Sequence, residues 1–313
     1  MNKTKNNINV VATGHYVPDQ ILSNSDLEKI VDTSDEWIFS RTGIKNRRIA
    51  KGETTSDLAT KAAKNAIESV NYNMEKIELI IVATFTADFL SPAVANLVQA
   101  KLGLNHKEIA CFDINAACAG FIYALNVASQ MLNSGAYKSA LVIGAEVISK
   151  VVDFTNRDTC VLFGDGAGAI ILENTEKTKP AYFFTSSKGD LDKIIYVDSN
   201  IHMDGQRVYQ FATRAIESSI AKVLTECGLE NHEISKIIPH QANLRIIQNA
   251  AKNLHFSMDK FFLNIDQYGN TSAASIIIAL DEYRKSALTV EDQHIILVGF
   301  GAGFTWGSAL LTL

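Results

Sequence analysis

The sequence predicts an α/β protein made of two similar halves that pack against each other. The halves repeat the same order of elements at a nearly constant spacing, since Ile80 lies 157 residues before Ile237 and Ala140 lies 155 before Ile295. The predicted strands are apolar and rich in β-branched residues, which is typical of strands buried on both faces of a sheet. The length of 313 residues suits one large domain or two of about 150.

The first half, residues 1–173, begins with an amphipathic helix that is indicated by apolar residues recurring on one face. A buried strand, a strand–turn–helix unit, a second buried strand and a glycine-flanked last strand follow. These five elements span residues 56–70, 79–84, 111–132, 140–144 and 164–172.

The second half, residues 174–313, repeats this order, and we expect equivalent element ends to meet where the halves join. The stretch 295–313 carries no charge and is long enough to span a bilayer. Its four glycines divide it into two apolar runs, which favours two buried strands over a membrane helix. The five elements span residues 212–227, 236–240, 261–283, 295–299 and 301–310.

Cys118 lies where a short alternating strand, with Phe112 and Ile114 on one face, turns into a helix predicted to end at residue 132. The positive end of that helix dipole favours the thiolate, which is the reactive form of cysteine. Alanines and a glycine around Cys118 leave room for a substrate. We therefore consider Cys118 a candidate nucleophile. The alternative is a small buried hydrophobe, as free cysteines usually are.

Two further polar residues stand at predicted element ends. His240 closes a short apolar strand, and Asn270 opens an Ala-rich helix. A cysteine, a histidine and an asparagine that are distant in sequence are the components of a thiol active site. The alternatives are that His240 caps a turn beside Pro239 and that Asn270 is an ordinary turn residue after Gly269.

The composition excludes several classes of function. A net charge of −5 gives no general attraction to nucleic acid. The four cysteines show no Cys-x-x-Cys spacing, so neither structural zinc nor a disulfide framework is indicated. Residues 1–9 are polar and lack the apolar core of a signal peptide. We expect a cytoplasmic protein with no metal, no nucleic-acid partner and no membrane partner.

A series of longer motifs identifies a family. The motifs occupy residues 31–38 with 41–44, then 116–121, 163–168, 239–247, 268–275 and 303–307. In content, order and spacing the chain resembles β-ketoacyl-acyl-carrier-protein synthase III, the initiating condensing enzyme of bacterial fatty acid synthesis. The resemblance implies a thiolase-like fold, with two duplicated α/β halves packed as α-β-α-β-α layers. It also implies decarboxylative condensation of a short acyl-CoA with malonyl-acyl-carrier-protein through an acyl-cysteine.

The resemblance also implies roles for the matching residues. Cys118 matches the nucleophile, and His240 and Asn270 match the pair that assists malonyl decarboxylation. The backbone N–H groups of Cys118 and Ala302 match the oxyanion hole, and Phe300 matches a phenylalanine close to the sulfur. Acyl-CoA is then a substrate, and no cofactor is expected.

Four residues match the coenzyme A site of the family. Trp37 and Arg157 match the pair that sandwiches the adenine, and Arg41 and Asn243 match residues that line the coenzyme channel. An indole face and a planar guanidinium are suited to stacking on a base. The alternative for Trp37 is a half-buried structural tryptophan.

Arg245 matches the family's contact with the acyl carrier protein. Lys252 lies seven residues further on, so the two cations share a helix face. Such a face suits an acidic helix of a carrier protein, although exposed charges are usually only solvated. Gln210 stands where the family often has a basic carrier contact.

The shape of the acyl pocket is the feature that the sequence determines least. Phe89 and Leu90 match a loop that, in the family, reaches into the acyl pocket of the partner subunit, and the resemblance implies a homodimer. The segment after Thr185 is shorter than usual, and Ser275 lacks the proline that commonly follows it. We expect a compact pocket and short acyl chains.

Three other functions remain open at this stage. One is a related condensing enzyme or acyltransferase of a secondary-metabolite pathway, such as an alkylquinolone or resorcinol pathway, with another acyl donor or acceptor. A biosynthetic thiolase is disfavoured because the glycine-rich end 299–307 has no second cysteine. A scaffold protein is disfavoured because it needs neither Cys118, nor His240, nor Asn270.

Overall fold

The computed structural model describes residues 6–286 and 292–313. Within these ranges ten α-helices form, and several are capped by a serine, threonine, asparagine or aspartate at the N-terminus. The helices are α1 (Asn24–Leu27), α2 (Asp35–Thr42), α3 (Thr55–Ser69), α4 (Val94–Lys101), α5 (Gly120–Asn133), α6 (Arg157–Cys160), α7 (Gly205–Cys227), α8 (Leu244–Asn253), α9 (Ile265–Tyr268) and α10 (Ala274–Ser286).

The described residues also form thirteen strands, nine of which build one sheet. The strands are β1 (Asn6–Tyr16), β2 (Ile21–Ser23), β3 (Asn46–Arg48), β4 (Leu79–Ala83), β5 (Ala110–Ile114), β6 (Ser139–Glu146), β7 (Gly166–Glu173), β8 (Lys179–Ser187), β9 (Ile195–Val197), β10 (Ile201–Met203), β11 (Ile234–Pro239), β12 (His294–Gly301) and β13 (Thr305–Thr312).

The order of strands in the sheet confirms the internal repeat. It runs β11-β12-β13-β8-β1-β7-β6-β4-β5. The series β4-β6-β7-β1 in the first half therefore has the same connectivity as β11-β12-β13-β8 in the second. Both halves begin with a parallel pair and continue with an antiparallel one. A short antiparallel pairing of β1 with β8 joins the two halves into one sheet.

Helices cover both faces of each half, which gives the predicted α-β-α-β-α layers. The central layer is α5 and α10, and their apolar side chains pack against strands of both halves in one core. Helices α3 and α4 cover the outer face of the first half, and α7 and α8 cover that of the second. Strands β4 and β6 are buried throughout, as expected for strands between two helical layers.

One predicted element of the second half is wrong. Phe261 was expected to start a strand equivalent to β5, but it forms only an isolated bridge with Ile237. Beyond this bridge the Gln241 side chain binds the backbone, accepting from the Asn264 N–H at 3.2 Å and donating to the Phe262 carbonyl at 3.2 Å. A side-chain amide therefore takes the hydrogen bonds that a neighbouring strand would need.

The fold confirms the prediction for the uncharged stretch at the end of the second half. The uncharged stretch 295–313 forms the antiparallel pair β12 and β13 for most of its length, as predicted. No helix in the described parts of the chain is long and apolar enough to cross a membrane.

Helix α7 begins at Gly205 rather than at residue 212, because the Asp204 side chain caps it there by accepting from the Arg207 N–H.

Candidate active site

Cys118 lies in a single 3₁₀ turn, residues Ala117–Ala119, between β5 and α5. This is the strand-to-helix turn that the sequence predicted. Ala117 adopts the left-handed backbone region with φ of 47°, which is uncommon for a residue with a Cβ. The Asn115 side chain supports it by accepting from the Ala117 N–H at 3.2 Å. The turn therefore holds Cys118 close to the N-terminus of α5.

The second half of the chain packs directly on this turn. A Cβ at Gly301 would lie 2.6 Å from the backbone nitrogen of Cys118, so only glycine fits. Thr305 donates from its hydroxyl to the Ala116 carbonyl at 2.8 Å. The end of β12 and the start of β13 thus fix the position of the nucleophile candidate across the joint, which is the contact between the two halves.

His240 follows β11 and is 1% exposed. Its backbone N–H donates to Val298 at 2.8 Å, and its Nδ1 lies 2.6 Å from the Ser275 hydroxyl. Because Ser275 also accepts from the Gln241 N–H at 3.3 Å, its own hydrogen is available for Nδ1. We therefore assign the neutral tautomer in which Nε2 carries the proton. Burial lowers the pKa of His240 to about 3, so the ring is neutral at physiological pH.

Asn270 connects the two halves before α10 begins. Its backbone N–H donates to the Leu162 carbonyl at 2.8 Å, and its carbonyl accepts from the Gly164 N–H at 3.1 Å. Its side-chain oxygen accepts from the Ser272 N–H at 2.9 Å. With the oxygen engaged in this way, the amide presents its NH₂ group as a donor.

Cys118, His240 and Asn270 line one cavity, as the sequence analysis expected. Its other walls are mainly apolar. They include Phe300, whose ring packs edge-on against His240 with a centroid separation of 5.2 Å. Cys118 also lines a second cavity, together with Ala302. The nucleophile candidate therefore lies where two cavities meet, and the three residues share a space with mainly apolar walls.

The expectation that resting Cys118 is a thiolate is wrong. Burial raises the pKa of the Cys118 thiol to about 12, with a smaller contribution from the negative charge of Glu146. A hydrogen bond from the Ser272 hydroxyl acts in the opposite direction but is outweighed. Desolvation is the largest of these influences, so burial favours the protonated thiol over the thiolate.

Trp37 lies on α2, half-buried, between cationic neighbours. The Arg157 guanidinium carbon lies 4.0 Å from the centre of its ring, and that of Arg41 lies 4.7 Å away. Arg157 and Trp37 are thus in contact, and no base fits between them in this arrangement. The expected sandwich would require Arg157 to move away from the indole when adenine enters.

Asn243 and the two predicted carrier contacts lie on or next to α8. Asn243 caps the helix, lines the Cys118 cavity and donates from its amide to the Arg41 carbonyl at 3.0 Å. Arg245 and Lys252 are both exposed on the helix. The α8 N-terminus therefore joins the cavity to the Trp37 surface.

Phe89 and Leu90 do not line either cavity at Cys118. Both are exposed, Leu90 completely so. Two large apolar side chains on the surface of one chain are consistent with a loop that meets a partner. Their predicted role in an acyl pocket stays a prediction.

Sequence reasoning missed three polar residues around the reactive group. Ser275 orients His240, Ser272 bonds to Cys118, and Glu146 bonds to Ser272. Both serines stand in the motif that carries Asn270, which is a usable signal. Glu146 ends an apolar strand far away in sequence, and nothing in its local pattern indicates that it approaches Cys118.

This fold and site define a class of protein, a thiolase-like acyltransferase with a candidate cysteine nucleophile where two repeated halves meet. Comparisons with known proteins identify the family. Residues 112–189 match the family model for 3-oxoacyl-[acyl-carrier-protein] synthase III, and residues 224–313 match the model for its C-terminal part. The chain belongs to the 3-oxoacyl-[acyl-carrier-protein] synthase III family, and it is a condensing enzyme of the acyltransferase type.

Individual relatives agree over nearly the whole length. The chain is 52% identical to the β-ketoacyl-[acyl-carrier-protein] synthase III of Acholeplasma laidlawii over 98% of both chains. It resembles the crystal structure of the Aquifex aeolicus synthase with a TM-score of 0.94 and 45% identity, over 98% of this chain and 100% of the other. The priming β-ketosynthase of the R1128 polyketide pathway matches with a TM-score of 0.92 and 30% identity, over 98% and 97%. The predicted family and fold are thus confirmed.

The contact at Gly301 can be tested by substitution. Gly301→Ala places a methyl group against the Cys118 backbone nitrogen, so we expect acyl transfer to Cys118 to fall by about tenfold or more, since misplacements of about 1 Å are known to cost about 10²-fold. The rate of acyl-enzyme formation measured by intact-protein mass spectrometry checks this. Gly189→Ala is the matched control, because a Cβ there meets nothing within 4 Å. Equal rates in both variants would contradict the proposed contact.

Proposed function

We propose that this protein condenses a short acyl-CoA with malonyl-acyl-carrier-protein through an acyl-Cys118 intermediate, releasing CoA and CO₂ and initiating fatty acid synthesis. The observation that carries the proposal is the convergence of Cys118, a neutral His240 and the Asn270 amide in one cavity. Family membership supports the same reaction, since the relatives are named for it.

In the first half-reaction Cys118 attacks the thioester carbon of acyl-CoA. The new S–C bond forms, the bond to the coenzyme sulfur breaks, and CoA leaves. The backbone N–H groups of Cys118 and Ala302 are proposed to bind the developing oxyanion, since both residues line the second cavity beside the sulfur. Fixed backbone donors in a dry site stabilise such a charge more strongly than water does.

In the second half-reaction the malonyl group loses CO₂ and becomes an enolate. Two neutral donors are suited to this step, because they stabilise the developing negative charge without first forming an ion pair with the malonyl carboxylate. We assign these roles to His240 Nε2–H and the Asn270 NH₂ group. The enolate carbon then attacks the acyl-Cys118 carbonyl and expels the sulfur. Passage through a covalent intermediate predicts ping-pong kinetics.

Coenzyme A is assigned to the surface around Trp37, with Arg41, Arg157 and Asn243. Asn243 supports this, because it lines the Cys118 cavity and contacts the backbone of Arg41. The pantetheine arm would follow that connection, while adenine displaces Arg157 from the indole.

The remaining parts of the proposal are the partner chain, the location and the cofactor. A homodimer is supported by the exposed Phe89 and Leu90. None of the four cysteines, all of which lie in the described residues, forms a disulfide, which is usual in a reducing cytoplasm. We propose no cofactor and no metal; in the described residues no group of three or more His, Cys, Asp or Glu side chains is placed to hold an ion. Each half, residues 1–173 and 174–313, is proposed to be one thiolase-like unit.

The division of labour within the triad gives the first functional prediction. Acyl-CoA should add an acyl mass to Cys118, and Cys118→Ala should abolish this addition. His240→Ala and Asn270→Ala should retain most of the acylation and lose about 10²- to 10³-fold in malonyl decarboxylation, the usual effect of removing one oxyanion donor. Intact-protein mass spectrometry and release of labelled CO₂ measure the two steps separately.

Two outcomes would count against this assignment. If His240→Ala and Asn270→Ala lose acylation and decarboxylation equally, the roles are divided wrongly. If wild-type protein acquires no acyl group from any acyl-CoA, the protein is a scaffold. A donor and acceptor panel separates the fatty acid reaction from a secondary-metabolite one.

Carrier docking is proposed for the exposed face of α8. Arg245 stands two residues after Asn243, so a partner bound there lies at the mouth of the Cys118 cavity. Carrier proteins present an acidic helix, and a cationic rim mainly accelerates encounter. The α8 face can serve this purpose although the whole chain is negative.

Charge reversal tests the docking face. Arg245→Glu with Lys252→Glu should raise KM for malonyl-acyl-carrier-protein by about tenfold at low salt and leave acylation from acyl-CoA unchanged. The effect should shrink with added salt, because exposed charges are screened over about 8 Å at physiological ionic strength. The charge-matched control is Lys64→Glu with Lys76→Glu, both exposed on the first half. A control with the same KM change would contradict docking at α8.

The acyl chain is assigned to the second cavity at Cys118. Its walls include Phe85, Phe163 and Ile195, and Phe85 belongs to the same loop as Phe89 and Leu90. In the proposed dimer the bulky pair of the partner closes the end of this cavity. A closed apolar end limits the length of chain that can be buried.

We therefore expect acetyl- to butyryl-CoA to be preferred over octanoyl-CoA by at least about tenfold in kcat/KM. Each methylene that stays unburied forgoes about 0.8 kcal/mol. Phe89→Ala with Leu90→Ala should shift the optimum to longer chains, and Val70→Ala, another exposed apolar site, should not. A wild-type preference for octanoyl-CoA would show that the pocket is open and would favour a specialised pathway.

A further inference from the structure

Glu146, the last residue of β6, is a fully buried acid with no role in the reaction described so far. Its carboxylate accepts from the Thr84 hydroxyl at 3.1 Å, from the Thr86 N–H at 3.1 Å and from the Thr86 hydroxyl. It also accepts from the Ser272 hydroxyl at 3.2 Å. Several donors therefore hold the Glu146 carboxylate, and one of them, the Ser272 hydroxyl, also contacts Cys118.

Ser272 links this carboxylate to the nucleophile. Its hydroxyl donates to Glu146 at 3.2 Å, and its contact with Cys118 lowers the pKa of that thiol, as a hydroxyl that can donate to the thiolate does. A hydroxyl has one hydrogen, so if that hydrogen is given to Glu146, the oxygen accepts the thiol hydrogen. Ser272 adopts a left-handed backbone with φ of 50°, and its N–H is fixed by Asn270. The result is a continuous path from S–H through O–H to a carboxylate.

The thiol needs such a path, because its own environment keeps it protonated. His240 is an unsuitable acceptor, since burial lowers its pKa to about 3 and its Nδ1 faces Ser275. Burial raises the pKa of Glu146 to about 7, so this carboxylate can take up or release a proton near neutral pH.

In the described residues, few charged groups lie around Glu146. Lys150 acts on it across the loop after β4, donating to the carbonyls of Thr86 and Ala87. Asp88 and Asp165 act on the same lysine, and the Cys118 thiol faces Glu146 through Ser272. None of these groups interrupts the hydrogen-bonded path.

We propose that Ser272 and Glu146 carry the proton of Cys118 during the reaction cycle. As the sulfur attacks the acyl thioester, the thiol proton passes to Ser272 and the Ser272 proton passes to Glu146. Glu146 holds the proton while the acyl group occupies the sulfur. When condensation expels the Cys118 thiolate, the proton returns by the same path. The inference deepens the proposed function and rests on it for the identity of the acyl donor.

The step balances without another reagent. In acylation the S–H bond of Cys118 breaks, the S–C bond forms and the coenzyme thiolate leaves, to be protonated by solvent. In condensation the new C–C bond forms, the Cys118 S–C bond breaks and the thiolate recovers its proton from Glu146. One solvent proton is consumed per cycle, as the loss of CO₂ from a malonyl carboxylate requires.

The test is the pH dependence of Cys118 alkylation by iodoacetamide, followed at the Cys118 peptide by mass spectrometry between about pH 5.5 and 9. Only the ionised Glu146 carboxylate can accept the proton. The alkylation rate of the wild-type protein should therefore rise as this carboxyl loses its proton near pH 7. Glu146→Gln should be slower by about 10²-fold or more at neutral pH and lose this titration, in line with the usual contribution of a proton acceptor.

Two further variants separate the path from simple structural support. Ser272→Ala leaves Glu146 its other donors and should also lose the titration. Thr84→Val removes a donor outside the path, so the titration should persist and move to higher pH, because the ionised carboxylate loses a stabilising hydrogen bond. Thermal unfolding establishes that each variant is folded; if Glu146→Gln unfolds, Ser272→Ala decides.

The opposite result has a clear physical meaning. The charge of Glu146 raises the pKa of Cys118, so an electrostatic effect alone would make Glu146→Gln alkylate faster. A faster rate, or an unchanged pH profile in both Glu146→Gln and Ser272→Ala, overturns the proposal. If the pH profile of alkylation depends on Glu146 but the protein does not condense acyl-CoA with malonyl-acyl-carrier-protein, the proton path is retained and the proposed function is rejected.

Discussion

The packing of α5 and α10 between the two halves of the sheet is the contact on which the site depends. Both helices contribute to one apolar core shared by strands of each half. At their N-terminal ends the backbones come close, so that a Cβ at Gly120 would lie 3.7 Å from the Ala273 methyl carbon. Cys118 precedes one helix and Asn270 precedes the other. The contact that builds the core therefore also places the reactive groups.

Burial at this joint determines the protonation states of the site. It keeps His240 neutral, and with the proton assigned to Nε2 the ring can donate a hydrogen bond, as the proposed enolate stabilisation requires. The same burial disfavours the Cys118 thiolate. An enzyme that needs both a neutral donor and a nucleophilic sulfur in one dry cavity requires a separate acceptor for the thiol proton. The buried carboxylate of Glu146 is the acceptor that we propose, and it reaches Cys118 through Ser272.

Much of this arrangement was predictable from the sequence, because it follows from local patterns. Residue spacing gave the repeat, and element ends indicated Cys118, His240 and Asn270. The missing strand at Phe261 was not predictable, since Gln241 replaces its hydrogen bonds from a distant segment. The thiol pKa was misjudged for a similar reason, because desolvation depends on tertiary packing.

The contacts of Glu146 show the same limit. Its neighbours Thr84 and Ser272 come from separate elements, and only the folded chain brings them together. The stacking of Arg157 on Trp37 also depends on side-chain positions that no motif specifies.

In the proposed reaction the acyl carbonyl binds beside Ala302 in the second cavity, apart from His240 and Asn270 in the first. A crystal structure of the acyl-enzyme, formed with acetyl-CoA in the absence of malonyl-acyl-carrier-protein, tests it most directly. We expect an acyl group on Cys118 Sγ whose oxygen accepts from the N–H groups of Cys118 and Ala302, with His240 and Asn270 facing open space. An acyl oxygen bound instead to His240 and Asn270 would contradict the account.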